Sequence, residues 1–433
     1  MGRSGPQVRQ VGSGGKRRAR PTLRAPATRV EHDALGSVTL PADALYGIQT
    51  ARAVENLRFT TRPLGSCPPY VQALGTVKRA AARANRQAGI LTARLANAIE
   101  AATTPLLAGA LLEQFPADLL GGGGSIGVHM NVNEVIANLA SEHLGGRRGE
   151  YMPVDPFRHV NASQSTADVC HTALRLAVLN QWMGLRRALR AAVRQLRERA
   201  AALAGVPTLS RTCLQDALPS SLGVLFSGYA ALLQRRTVEL ERAVRALRGV
   251  ALGGTVIGTG DGAPLRYRER VLPILSEITG WALSARELLP DALQNSDDIG
   301  AVSAQLAQLA QALIKIAQDL RLLASGPQGG FGEISLPHVQ AGSSFFAAKQ
   351  NPVVPETVIQ CGFQVLGCDR AVQAAVEHAE LYLNVFDGLA AVNVLDAIDM
   401  LTGAVERFEA RCLRGLQANV ARCRTLAAFG KQV

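Results

Sequence analysis

The chain has 433 residues, 48% of them hydrophobic and 4% aromatic, enough to bury one large elongated core or two to three ordinary ones. Its apolar runs are shorter than the roughly 20 residues that span a bilayer, and no secretory signal opens it. We therefore expect neither membrane insertion nor secretion, and a cytoplasmic location. The seven cysteines are scattered and form no C-x-x-C pair, which argues against a disulfide framework or a metal site. No cofactor is expected.

The formal net charge of +12 is concentrated near the N-terminus. Residues 1–29 hold eight of the 46 Lys and Arg residues and no acid, so the rest has 38 basic and 34 acidic side chains, a net charge of +4. This segment is rich in Gly, Pro and Arg, and we predict a disordered basic tail. A solvated tail or a wrongly assigned start codon is the simpler interpretation. A nucleic-acid-binding or targeting arm is the alternative, and a nucleic-acid partner is not expected.

After the tail, the hydrophobic pattern of the sequence indicates two domains and a short C-terminal segment. Residues 30–155 form an N-terminal domain with short helical patterns and a glycine cluster, GGGGSIGVHMNVNE at 121–134. Residues 156–425 form a domain of long helices, and 426–433 a tail. The predicted long helices are 165–203, 215–252, 299–323, 352–378 and 381–424.

The segment 299–323 has apolar residues at alternating spacings of three and four, which is a heptad pattern. Helices of 35 residues are about 50 Å long, which exceeds an ordinary domain. An all-α, long-helix bundle is therefore predicted, with oligomerisation to cover the faces that one chain leaves open.

Four polar segments interrupt the helical pattern. They are GGGGSIGVHMNVNE, DPFRHVNASQSTADVCHT (155–172), LSRTCLQDA (209–217) and AGSSFFAAKQNPVVPE (341–356). Each lies at the start of a long helix or between two helices, where unpaired N–H groups attract anions. Together they suit a small carboxylate substrate, although helix caps and turns alone are the alternative. No P-loop is present, and His129, His159 and His171 lack metal-ligand spacing.

In order and spacing, these segments resemble the aspartase/fumarase superfamily. Its signature loop G-S-S-x-M-P-x-K-x-N-P is similar to GSSFFAAKQNP at 342–352. The resemblance covers about residues 29–425, and segments such as LPADALYGIQTARAVENLRFT (40–60) lean toward the aspartate ammonia-lyase branch. It implies a three-domain helical architecture, whose small C-terminal domain we expect to be missing here. It also implies a homotetramer in which three chains build each active site.

The resemblance further implies an anti β-elimination from a substituted succinate, which gives fumarate. Ser343 is the implied base, and Lys349 is the implied catalytic cation. The implied substrate-binding residues are Ser165, Thr166, Thr212, Ser344 and Asn351. Those in supporting positions are Cys213, Glu356, His159 and Asn131.

Several family positions are changed in this chain. Ile126-Gly127 stands where the family has a Thr-Ser pair, Ala167 where it has Asn, and Cys213 where it has His or Gln. In the family, residues at these positions hold the leaving amino group. Phe346-Ala347 replaces Met-Pro, and Asp261-Gly262 replaces Leu-Asn. Each lost hydrogen bond to a charged group is worth about 1.5–3 kcal/mol. We predict an aspartate ammonia-lyase-like lyase, and consider an altered leaving group. A fumarate hydratase and a catalytically degenerate paralogue with a structural or regulatory role are the alternatives.

Overall fold

The computed structural model describes residues 1–2 and 27–431. The predicted basic tail lies almost entirely outside the described residues, but its last two residues belong to the first strand, Thr28–Asp33. The Arg29 side chain donates hydrogen bonds to the carbonyl oxygens of Ala44 and Tyr46, both at 2.6 Å. Within the described residues, the first strand therefore starts at Thr28, two residues before the predicted start at Val30.

The first region is a hairpin followed by four helices. In chain order these elements are β1 (Thr28–Asp33), β2 (Gly36–Pro41), α1 (Ile48–Leu57), α2 (Pro68–Gln87), α3 (Ala93–Leu107) and α4 (Ile126–His143). The buried carboxylate of Glu134, on α4, accepts hydrogen bonds from the backbone N–H groups of Gly47, Gln49 and Thr50. It thereby supplies partners for the unpaired N–H groups at the start of α1.

The second region contains the long helices and short connecting strands. Its elements are α5 (Thr166–Ala202), β3 (Pro207–Thr212), β4 (Gln215–Ser221), α6 (Leu222–Ala246), β5 (Gly249–Val250), α7 (Leu265–Thr279), β6 (Ser284–Ala285), α8 (Leu289–Gln294), α9 (Asp297–Leu323), β7 (Ile334–Ser335), α10 (Val353–Glu377), α11 (Asp387–Phe408), β8 (Gln417–Ala418) and α12 (Val420–Ala427). In the described part of the chain, strands pair only two by two, so the predicted all-α class is confirmed.

Helices α5, α9 and α11 run in one direction along the bundle. Arg175, near the start of α5, makes a two-bond ion pair with Asp298 at the start of α9, at 2.6 and 2.8 Å. Ser296, just before α9, donates a hydrogen bond of 2.9 Å to Asp387, the first residue of α11. The starts of these three helices therefore meet at one end of the bundle.

Helices α6 and α10 run in the opposite direction. The Tyr229 hydroxyl, near the start of α6, donates a hydrogen bond of 2.7 Å to Asp319, near the end of α9. Glu356, in the first turn of α10, pairs with Arg321 in the last turn of α9 at 3.3 Å. The starts of α6 and α10 therefore lie at the same end of the bundle as the ends of α5 and α9.

The predicted heptad pattern of α9 is satisfied within a single chain. Its apolar residues pack against α6, α10 and α11. All eight residues of the heptad pattern are buried, with Leu323 the most exposed at 7%. This seam is therefore part of the chain's own core and is no argument for a second chain.

Two helical stretches, α9 and Asp387–Leu413, are long and apolar enough to cross a membrane by length and composition. In each, 61% of the most apolar window is buried inside the bundle. Most of their apolar side chains therefore lie in the core of the bundle.

Two predicted helices differ from the observed elements. Residues 215–221 form strand β4 rather than the start of a helix, and α6 begins only at Leu222. Pro219 lacks a backbone N–H group and disfavours a helix there. The predicted helix over 381–424 begins only at Asp387 and is divided into α11 and α12. A π-helical segment (Glu409–Leu413), a turn and the short strand β8 lie between them.

We expect Asp298→Ala to lower the free energy of unfolding by about 3–5 kcal/mol. Arg175 is fully buried, so the change leaves its guanidinium without a charged partner. Urea unfolding at one fixed protein concentration measures the effect. The control is Arg242→Ala, which removes an exposed ion pair with Glu239 and should cost at most about 1 kcal/mol. Equal losses in both variants would contradict the assigned importance of the buried pair.

Candidate active site

The start of α5 is held rigidly by Asp168. Ser165 caps the helix, and its backbone N–H donates a hydrogen bond of 2.9 Å to the Asp168 carboxylate. The other oxygen of Asp168 accepts hydrogen bonds of 3.0 Å from the N–H groups of Gly253 and Thr255. Burial raises the pKa of Asp168 to about 6, since desolvation outweighs these N–H groups. One carboxylate thus joins the cap of α5 to the loop that follows β5.

A chain of buried polar side chains leads from α2 to the predicted substrate-binding residue Thr166. The Lys78 amine lies 2.7 Å from His129 Nε2, and His129 Nδ1 lies 2.8 Å from Thr166 Oγ1. Lys78 also donates a hydrogen bond of 3.0 Å to Asn161. Burial lowers the pKa of Lys78 to about 7, and burial and the nearby Lys78 amine lower that of His129 well below its usual value.

The sequence analysis does not single out Lys78, and it considers His129 only as a metal ligand, for which the spacing is wrong. The available signal was a lysine inside the alanine-rich helix α2, in a chain with five lysines and 41 arginines. Its partner on α4 could not be identified without the structure. We name Lys78, His129, Asn161, Ser165 and Thr166 the first cluster.

Two predicted supporting residues, Asn131 and His159, bind backbone atoms of their own chain. Asn131 is fully buried; it donates to the Gln114 carbonyl oxygen at 2.9 Å and accepts from the Ala117 N–H at 3.3 Å. His159 Nδ1 accepts a hydrogen bond of 2.9 Å from the Asp155 N–H. Both residues hold loops in place beside α4, and their supporting role at the site stays a prediction.

Thr212 and Cys213 lie at the exposed tip of the β3–β4 hairpin. Thr212 pairs with Gln215, so Cys213 and Leu214 form a two-residue turn, with φ values of 56° and 61°. Such turns favour Asn and Gly, because other side chains are strained in the left-handed region. Arg211, one residue before Thr212, pairs with buried Glu333 at 2.8 Å and anchors the hairpin to the segment after α9.

The loop between β7 and α10 carries Ser343, Ser344, Lys349 and Asn351. The Ser343 hydroxyl oxygen accepts hydrogen bonds from the backbone N–H groups of Phe345 and Phe346, at 3.0 and 2.8 Å. Two amide dipoles therefore point at this oxygen and favour negative charge on it. The side chains of Ser344 and Lys349 are exposed to solvent.

The base of this loop is closed by Gly342 and Asn351. The Asn351 amide donates a hydrogen bond of 2.5 Å to the Gly342 carbonyl oxygen. A Cβ atom at Gly342 would lie 2.0 Å from the Lys349 carbonyl oxygen, so only glycine permits this close approach. Lys349 and Asn351 line an open cavity of about 460 Å³ beside His338.

We name the residues at this end of the bundle the second cluster: Thr212, Cys213, Ser343, Ser344, Lys349 and Asn351. Glu356, the remaining supporting residue, lies one turn into α10 and pairs with Arg321. Within the part of the chain that the structure describes, no three His, Cys, Asp or Glu side chains are close enough together to hold a metal ion.

The two clusters lie at opposite ends of the bundle. Thr166 is the first residue of α5, whereas the hairpin follows the last turn of the same helix. At about 1.5 Å per residue, the 37 residues of α5 separate these points by roughly 55 Å. One chain therefore cannot bring Thr166 and Lys349 to the same small substrate.

Comparisons with known proteins agree with this arrangement of motifs. Residues 36–367 match a family model described as lyase. An aspartate ammonia-lyase from Pseudomonas aeruginosa is 42% identical over 404 residues, which cover 92% of this chain and 85% of the relative. A fumarate lyase:delta crystallin from Brucella melitensis has a TM-score of 0.90 at 43% identity. The match covers 92% of this chain and 87% of the Brucella chain.

A class II fumarase from Schistosoma mansoni is also similar, with a TM-score of 0.90 at 29% identity over 92% of this chain and 87% of the fumarase. The matched family region and the identity to aspartate ammonia-lyases together extend over most of the described fold, including both clusters. The chain belongs to this lyase family, the aspartase/fumarase superfamily that its four polar segments indicate.

Proposed function

We propose that this chain catalyses the anti β-elimination of a substituted succinate to fumarate, in active sites shared between chains. Its aspartate ammonia-lyase relatives, about 40% identical over nine-tenths of the chain, make it an aspartate ammonia-lyase-like carbon–nitrogen lyase. The observation that carries the proposed mechanism is the pair of backbone N–H groups that bind the Ser343 hydroxyl oxygen.

Ser343 is the proposed base that removes the proton beside one carboxylate. A serine hydroxyl is a weak base until its negative charge is stabilised. The N–H groups of Phe345 and Phe346 supply that stabilisation, at 3.0 and 2.8 Å from the oxygen. The loop is exposed in this structure, so closing over the substrate would exclude water and strengthen these interactions.

Charge is the main difficulty of this reaction, because a dicarboxylate gains further negative charge as the proton leaves. Lys349 supplies the positive charge at the second cluster, and Asn351 an amide close beside it. At the first cluster, the start of the 37-residue helix α5 presents a positive dipole end beside the hydroxyl groups of Ser165 and Thr166. Each cluster is therefore suited to one carboxylate.

A substrate bound by both clusters requires at least two chains. The roughly 55 Å between the clusters of one chain excludes every arrangement within a single bundle. Large apolar side chains are exposed along the bundle: Val224 and Val238 on α6, and Phe363 on α10, at 66, 45 and 59%. Burying them against further copies of the chain supports a homotetramer, the assembly that the family resemblance implies.

We place the enzyme in the cytoplasm. All seven cysteines are free, and this composition suits a reducing compartment. Its substrate, a small dicarboxylate, is also a soluble metabolite.

We expect Ser343→Ala to lower kcat by at least about a hundredfold, the usual scale for a positioned base. Lys349→Ala should raise KM and lower kcat, because its charge acts on both substrate and transition state. The measurement follows fumarate absorbance with L-aspartate and a panel of substituted succinates. Ser344→Ala, the matched control, should lose about tenfold or less. Near-normal turnover by Ser343→Ala would remove that residue as the base, and no fumarate from any compound would favour the catalytically degenerate alternative.

The shared site can be tested by mixing two inactive variants. Ser343→Ala lacks the second cluster and Thr166→Val the first, so co-expression should restore about a quarter of the parental activity by random assembly. The control mixture, Ser343→Ala with Lys349→Ala, has a defective second cluster in every chain and should stay inactive. Equal inactivity of the two mixtures would show that the clusters do not meet across chains.

The residues around the leaving group make this site differ from the family pattern. Ala167 packs in a small apolar group with Ala251, Ala292 and Leu293, and Ile126 opens α4. Neither side chain can pair with an ammonium group, and burying an unpaired charge costs several kcal/mol. A neutral or less basic substituent would avoid this cost.

We therefore expect poor turnover of L-aspartate compared with another β-substituted dicarboxylate. The double change Ile126→Thr and Ala167→Asn should partly restore aspartate turnover, because it adds two groups that can bind the ammonium. The measurement is kcat/KM for L-aspartate in both forms, with the Ile126→Val and Ala167→Ser pair as a size control. An efficient wild-type enzyme would show that the amine is bound by other residues.

A further inference from the structure

The first cluster contains two buried groups that the proposed elimination does not use. Lys78 is fully buried and His129 is 1% exposed, whereas Thr166 is only half-buried at the surface of the cluster. We propose that Lys78, His129 and Thr166 form a proton relay that protonates the departing substituent of the substrate. This inference rests on the proposed elimination and adds the acid to the base already assigned.

The hydrogen bonds of the relay have one direction. A charged lysine amine only donates hydrogen bonds, so Lys78 donates to Nε2 of His129 across 2.7 Å. The ring proton must then be on Nδ1, which donates to Thr166 Oγ1 across 2.8 Å. The Thr166 hydroxyl proton is consequently free to point outward, toward the proposed substrate position.

Several groups surround the lysine that starts the relay. Besides His129 on α4 and Asn161, the side chains of Asp168 and Cys170 face it from α5. Burial outweighs the favourable charge of Asp168 and holds the pKa of Lys78 near 7. Burial also raises the pKa of Cys170 to about 12, so its thiol stays neutral. Lys78 can therefore both hold and release a proton near neutral pH.

The proposed step balances its protons and electrons. Ser343, as the alkoxide, takes the proton from carbon, and the C–H electron pair forms the double bond of fumarate. The bond to the substituent breaks, and its electron pair leaves with the substituent, which takes the Thr166 hydroxyl proton. Thr166 is reprotonated from Nδ1 of His129, and Nε2 takes a proton from Lys78. The ring stays neutral throughout, which fits its strongly lowered pKa.

Such an acid is needed only by a substituent that would otherwise leave as a strongly basic anion. An amine bound in its neutral form belongs to this class, and the buried apolar side chain of Ala167 favours that form. A hydroxyl group belongs to it as well. A chloride does not, because it is a stable anion without a proton.

The relay also sets a pH dependence. Lys78 must be protonated to act, so kcat should fall as the pH rises through about 7, the folded-state pKa of this amine. Because the unfolded-state pKa is about 10.4, the unfolded chain binds more protons between these values. The contribution of Lys78 to stability should therefore rise with pH across this window.

The experiment compares Lys78→Met with the wild type on L-aspartate, L-malate and 2-chlorosuccinate, following fumarate release. With the first two compounds we expect a loss in kcat of about a hundredfold or more, and loss of the decline above pH 7. With 2-chlorosuccinate the change should be less than about threefold. Lys315→Met, which removes an exposed lysine, is the matched control and should alter none of these values.

A second variant separates the relay from folding. His129→Gln keeps a hydrogen bond to Thr166 but cannot exchange a proton between two ring nitrogens, so it should give the same selective loss. Urea unfolding across pH 7–10 should show that the stability of the wild type relative to Lys78→Met rises with pH, a readout independent of activity.

The outcomes are distinct. Equal losses on all three compounds, or no loss on any, would overturn the relay while leaving the proposed elimination intact. A wild-type enzyme that releases no fumarate from any of them would overturn the proposed function, and the relay with it.

Discussion

The rise of an α-helix, about 1.5 Å per residue, is the constraint on which the rest of this structure depends. Because α5 runs for 37 residues without a break, its start and its end cannot serve one small substrate. The parallel course of α5, α9 and α11 then places the caps of three helices at one end. The β3–β4 hairpin and the Ser343 loop lie at the opposite end of the bundle. Because one chain holds the two clusters far apart, a site shared between chains is the simplest arrangement.

The two ends provide positive potential in different ways. At the second cluster it comes from an exposed lysine and from backbone amides in a loop closed by Gly342. At the first cluster it comes from a helix start, whose cap is fixed by a buried carboxylate that binds three N–H groups. The loop of the second cluster is suited to movement, and the capped helix start of the first cluster is suited to rigidity. A substrate anchored at the first cluster can then be enclosed when the loop closes.

Sequence patterns predicted what depends on neighbouring residues along the chain. The apolar periods of α5, α9 and α10 are long enough to exclude strands, and the GSSFFAAKQNP loop is specific enough to identify the family. What failed depends on contacts distant in sequence. The heptad pattern of α9 alone does not tell whether the helices that cover it belong to the same chain, and here they do. The pairing of Lys78 with His129 joins residues 51 positions apart, and no local pattern announces it.

Because the two clusters are far apart in one chain, catalysis in the proposed assembly depends on the association of chains. In the proposed assembly, an isolated folded chain retains every side chain of the site but no complete pocket. Dilution below the dissociation constant of the assembly would then abolish turnover without unfolding the protein, by mass action alone. Specific activity would depend on enzyme concentration, and a substrate bound across two chains would favour the assembled form.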